Sequence, residues 1–176
     1  LTWAHCPQFI FDGGNEYRKF EILDVNHANM GVENTGWDNH QYHAYLWPDE
    51  PRPSYVYDED ANGAFFIRNS DNSEISYTAE YQVVHFRLKV PRQQGEVYLN
   101  GAWTYDQFTP DYQLTWNEEQ QCYESEQLLK QGYYSYQYLL RRPDGQMGRV
   151  PQEGNFSQPE NSYTALVSYR QQGGRY

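Results

Sequence analysis

Apolar and polar positions alternate with a period of two along most of this chain. The alternation is clear in EYRKFEIL (residues 16–23), QYHAYLW (41–47) and AFFIR (64–68). Each predicts a β-strand, because successive side chains of a strand point to opposite faces. In EYQVVHFRLKV (80–90), Val84, Phe86, Leu88 and Val90 share one face while His85, Arg87 and Lys89 share the other. That is the pattern of a strand covered on one side. EVYLNG (96–101), CYESEQLLKQG (122–132), YYSYQYLLRR (133–142) and NSYTALVSYR (161–170) follow as further strands, separated by the turn signals PRQQG, NEEQQ and PDG. The stretches DVNHANMGVENTGWDNH (24–40) and PDEPRPSY (48–55) read as connections, since their Asn, Gly, Asp and Pro supply turn geometry and interrupt ladders. No segment carries a helical stripe.

Many short strands at this spacing predict an all-β fold, with an immunoglobulin-like sandwich as its architecture. Apolar periodicity lapses over NSDNSEIS (69–76), where Ser, Asn and charge accumulate. A boundary there divides the chain into a β-domain segment over 1–76, incomplete at its N-terminus, and a sandwich over 77–176.

Composition narrows the function. The chain has 176 residues, enough for one globular domain or two small ones, and 18% of them are aromatic, tyrosine above all. No apolar run reaches the roughly 18 residues of a membrane-spanning helix. A formal net charge of -11 leaves no basic stripe to neutralise phosphates, so nucleic acid is not an expected partner. Cys6 and Cys122 lie far apart and outside any C-x-x-C arrangement, which indicates two buried thiols instead of a zinc ribbon or a disulfide framework. The chain starts at Leu1 without a charged-then-apolar leader, as a processed chain or a piece of a longer one does.

Candidate chemistry is sparse. In YDEDANGAFFIR, Asp58, Asp60, Asn62 and Gly63 match the first half of an EF-hand-type calcium loop, but the twelfth position, where a bidentate acid belongs, is Asn69. Asn62-Gly63 is also the preferred pair of a tight turn leading into a strand at 65–67, so the look-alike reads as a turn and no metal is expected. His40 and His43, three apart on a strand, point to opposite faces and cannot share an ion; His85 sits on a polar strand face as an ordinary exposed histidine. No G-x-S-x-G elbow is present, and acids such as Asp106, Asp111, Glu118 and Glu119 cannot be paired from sequence. Neither an enzyme nor a cofactor is indicated.

The segment VYLNGAWTYDQFTPDYQLTWNEEQQCYESEQLLKQGYYSYQYLL resembles the early-set immunoglobulin-like domain of the glycogen-binding (CBM48) type. The strand ending at Gly101, the turn residue Trp103, the Leu129 to Gly132 step and the alternating Tyr134, Tyr136 and Tyr138 carry the likeness. Val97, Leu99, Leu129, Tyr136 and Tyr138 then form an inner face, with tyrosine hydroxyls that need partners or the rim. Over most of residues 17–176, the ordered blocks YDEDANGAFFIR, VHFRLK, GEVYLNGAW, LLKQGYYSYQY and the terminal GGRY resemble the DUF5103 family, the plug proteins of the type IX secretion system of Bacteroidota. The resemblance corresponds to the family's C-terminal portion. It implies a periplasmic, non-enzymatic protein that closes the periplasmic mouth of an outer-membrane translocon barrel. A second reading is a carbohydrate-binding module, for which Trp103, Tyr105, Tyr112 and Trp116 would supply the rings, although AWTYDQF departs from the usual platform. Under the plug reading, Trp103, Tyr105 and Phe108 are the anchors expected to touch a partner, with Trp103 reading equally well as a cap on the core.

Overall fold

The structure, a computed structural model, describes residues 6–71 and 75–169. It is all-β, with ten strands in two five-stranded sheets. The strands are β1 (Arg18–Ile22), β2 (Val32–Trp37), β3 (Tyr42–Leu46), β4 (Phe65–Ile67), β5 (Tyr81–Leu88), β6 (Glu96–Asn100), β7 (Thr115–Asn117), β8 (Cys122–Lys130), β9 (Gly132–Arg141) and β10 (Met147–Arg149). One four-residue helical turn, Ile75–Thr78, precedes β5.

The first sheet is built around β9. Its first half pairs with β1 and β4 and its second half with β6 and β10, all antiparallel. The second sheet runs β2-β3-β5-β8-β7, antiparallel except for the parallel β3–β5 ladder, which matches Tyr42 with Gln82 and Tyr45 with His85. The two inner faces meet in one core. Phe20 from the first sheet lies edge-on to Phe86 from the second at 5.5 Å, and Phe86 in turn meets Tyr136 edge-on at 5.3 Å. Edge-to-face contact places the positive ring edge on the negative ring face, a favoured arrangement for paired aromatic rings.

This topology corrects the expected division of the chain. Residues 1–76 do not form a separate β-domain: β1 and β4 flank β9, β3 pairs with β5, and Phe20, Ile22, Val32, Ala44 and Leu46 belong to the same buried cluster as Val84, Val97 and Tyr138. The polar stretch at 69–76 falls between β4 and β5 of one sandwich. Composition marked a loop there and could not show that the strands on either side share ladders.

Two further expectations change. The segment 24–40 contains β2, an edge strand with a register irregularity between Val32 and Asn34; its one mostly exposed face let polar residues mask the strand signal. The expected strand at 161–170 is absent over its described part. Residues 161–169 have no regular structure, and Leu166, Val167 and Tyr169 are exposed. A strand needs a ladder partner, and here the segment instead runs beside residues 11–13, with Tyr163 5.6 Å from the Phe11 ring and Asn161 Nδ2 donating to the Gly13 carbonyl. Arg170 and the GGRY motif lie outside the described residues.

Candidate functional site

The expected anchor loop follows β6. Gly101 lets it fold back: a Cβ there would stand 2.6 Å from Trp103 Nε1 and 2.7 Å from the Ser135 carbonyl, so only glycine lets the indole lie across β9. Trp103 Nε1 donates to that carbonyl at 3.3 Å, and the ring packs against Phe86, Tyr112 and Tyr134 at 6.1, 6.0 and 5.9 Å. With 6% of its surface exposed, Trp103 is part of the core, not a partner contact. Tyr112 is half-buried beside it, Phe108 sits edge-on to Tyr98 at 5.7 Å, and Trp116 packs on Tyr123 at 4.9 Å. Tyr112, Phe108 and Trp116 each meet a neighbouring ring of the sandwich at a steep angle. Tyr105 alone of the five projects, 73% exposed, from two successive left-handed residues, Tyr105 and Asp106, the second held by Asn100 Nδ2 at 2.9 Å.

The calcium look-alike is a turn. Asn62 (φ 51°) and Gly63 (φ 81°) are both left-handed, and the Ala64 N–H closes the turn on the Ala61 carbonyl at 2.9 Å. That is the geometry for which Asn-Gly is selected. The acids serve the fold: Asp60 accepts from the backbone N–H groups of Tyr17 and Asn62, and Asp58 Oδ1 pairs with Lys19 Nζ at 2.6 Å.

The densest polar cluster lies where sequence gave no warning. Arg18 at the start of β1 is mostly buried, with Nη1 2.8 Å from Asp49 Oδ1 and Nη2 2.8 Å from Glu153 Oε1. Glu153, 1% exposed, also pairs through Oε2 with Arg52 Nη2 at 2.5 Å. Tyr136 and Tyr138, on the inner face of β9, donate their hydroxyls to Asp49 Oδ2 at 2.7 and 2.6 Å. The hydroxyl partner demanded by the tyrosine pattern is therefore Asp49. Burial pushes the Asp49 carboxyl up, with Arg18 and the two hydroxyls pulling the other way. Burial pulls Arg18 down, but Asp49 and Glu153 hold it above its ordinary value. Burial, then Asp49, pushes both tyrosines well above theirs. Each carboxylate faces a guanidinium, so the cluster acts as a clasp joining β1, the segment after β3 and the turn Pro151–Glu153. A cleft of about 710 Å³ opens beside it, lined by Lys19, Met30, Arg52, Tyr57 and Tyr136 among others. Its members stand 31 and 135 positions from Arg18 in sequence, and no local pattern could have grouped them.

Two tryptophans missed as surface candidates project from the β2–β3 hairpin: Trp37 is 54% exposed and Trp47 58%. The outer face of the second sheet carries Tyr45 stacked on His85, with ring centroids 4.2 Å apart, and exposed Leu128 on neighbouring β8. His85 is thus half-buried and partnered, not the ordinary exposed histidine its strand position suggested.

Fold and site together define an all-β sandwich whose interior charges are tied to one another and part of whose aromatic surplus reaches the surface. Among the described residues, no helix is long and apolar enough to cross a membrane. The chain resembles a solved structure of a hypothetical protein from Parabacteroides merdae ATCC 43184, with 36% identity and a TM-score of 0.72 over 85% of this chain. The match covers 36% of that protein, so the present chain corresponds to about a third of its length. No protein-family model and no curated protein matches the chain.

Proposed function

We propose that this chain is a non-enzymatic interaction subunit, and specifically part of the periplasmic plug of the type IX secretion translocon, associated with the outer membrane. The observation that carries the interaction role is the number of large aromatics left in solvent on this sandwich, among them Trp37, Trp47 and Tyr105. Exposed tryptophan and tyrosine are the residue types that dominate binding energy at interfaces. The clasp supports the non-enzymatic half, because its carboxylates are spent on guanidinium and phenol partners instead of facing a substrate. The plug reading rests on the ordered motif blocks and is in keeping with a relative from Parabacteroides merdae.

The test is co-purification of the outer-membrane barrel with the full-length protein. Tyr105→Ala, Trp37→Ala and Trp47→Ala, alone and combined, are expected to lower barrel recovery with unchanged melting temperatures. Undiminished recovery in the triple variant would remove these residues from the interface, and failure to recover the barrel with wild-type protein would refute the plug assignment. Carbohydrate binding remains the second reading through Tyr105, and retarded migration in mannan or starch gels that is lost in Tyr105→Ala would favour it.

A further inference from the structure

A line of four ionisable groups crosses the outer face of the second sheet. Asp38 Oδ2, in the turn after β2, lies 3.2 Å from His43 Nε2 on β3, an oblique ion-pair contact. His43 Nδ1 lies 2.8 Å from His85 Nε2 on β5, and His85 Nδ1 lies 3.3 Å from Glu126 Oε1 on β8. The two imidazole side chains are largely shielded, at 13% and 17% exposure, with Tyr45 stacked on His85. The central nitrogens face each other instead of converging on a common point, which suits a shared proton and not a metal ion.

Counting hydrogens defines what the line can do. Two neutral imidazoles carry two ring hydrogens for three gaps, so one gap sets a lone pair against a carboxylate or against the other ring. One added proton fills all three: Asp38 with His43, His43 with His85, and His85 with Glu126. A second would turn two N–H groups and two positive charges against each other across the central contact. The other charged neighbours are Arg87 on β5, which opposes further protonation of His85, and Glu124 on β8, which favours it. Arg87 is itself engaged by Glu33 of β2 and by the Leu46 carbonyl. Backbone N–H groups of Gln41 and His40 hold Asp38 at about 2, so it stays ionised throughout.

We propose that the His43–His85 pair is an acid-sensitive latch: it accommodates one extra proton, and the second opens it and frees the turn end of the β2–β3 hairpin from β5. The β3–β5 ladder is the connection through which the hairpin joins the rest of its sheet, and it spans four residue pairs. At its far end Asp49 continues the ladder, with its N–H on the Arg87 carbonyl and its carbonyl on the Lys89 N–H, and is pinned by the clasp. Opening is therefore confined to residues 35–45. Burial pushes His85 below its ordinary value, in the same sense as resistance to the second proton. For a base depressed in this way, the stabilising neutral state is complete above the unfolded value near 6.5 and is lost as pH falls toward the folded one.

The test is hydrogen exchange of the full chain at pH 7.5 and 5.0, corrected for intrinsic rates, with imidazole nitrogen shifts followed by NMR. At pH 5.0, protection of the 35–37 and 42–45 amides is expected to fall about tenfold more than that of β8. In His85→Gln or His43→Gln, which cannot charge at the replaced position, the excess loss should shrink to within about twofold. Nitrogen shifts should report a single proton taken up before the loss begins. The latch is refuted if both imidazoles charge together with hairpin protection unchanged, or if both glutamine variants keep the full acid-induced loss.

Discussion

Truncation of Trp103 separates a core role from a binding role at the position where sequence left both open. In Trp103→Ala the indole is lost from a pocket walled by Phe86, Tyr112 and Tyr134, and the Ser135 carbonyl loses its side-chain donor. Removing a buried aromatic costs about 3–5 kcal/mol, transfer and cavity terms together. The lost hydrogen bond adds about 1 kcal/mol. For a chain of this length each kcal/mol moves the midpoint by about 2–4 °C, so Tm should drop by about 8–24 °C. Calorimetry and urea titration measure it. Tyr105→Ala, two residues on and in solvent, should stay within about 0.5 kcal/mol of wild type. A Trp103→Ala protein that melts within about 2 °C of wild type yet loses its partner would refute the placement of this indole in the core.

Three further outcomes follow from the same packing. Arg18→Met should cost about 3–5 kcal/mol by urea titration, because it strips Glu153 and Asp49 of their shared cation, and a loss below about 1 kcal/mol would show that the clasp is not needed for stability. Gln82, fully buried on the inner side of β5, has neither amide atom hydrogen-bonded among the described residues; Gln82→Leu should therefore stabilise by about 1–3 kcal/mol, and a net loss in Tm would reveal a partner such as a buried water. Residues 77–176 produced alone should show no cooperative melt, since β9 loses β1 and β4 and β5 loses β3, and a sharp two-state transition would reinstate the division at residue 76.

The period-two pattern by itself determined the all-β class, the approximate places of seven of the ten strands and the buried face of Val84, Phe86, Leu88 and Val90; β2 lay in a stretch read as connection, and β7 and β10 in stretches left unassigned. It succeeded because side-chain direction along a strand is a local property of the backbone. The Asn62-Gly63 turn was legible for the same reason, since left-handed φ values select those residues locally. Ladder partners were not legible. That β9 serves four strands, that β3 lies parallel to β5 and that residues before and after the 69–76 connection share one core depend on pairings between positions far apart in the chain. The sites followed the same division. Sequence showed that Tyr136 and Tyr138 needed hydroxyl partners, and only the tertiary structure supplied Asp49, 87 and 89 positions away. It likewise turned His43 and His85 toward each other across a ladder, and drew Trp103 inward. Alternation says which way a side chain points; what it meets there is decided by long-range packing, where charge pairing and ring contact act between groups that no local spacing brings together.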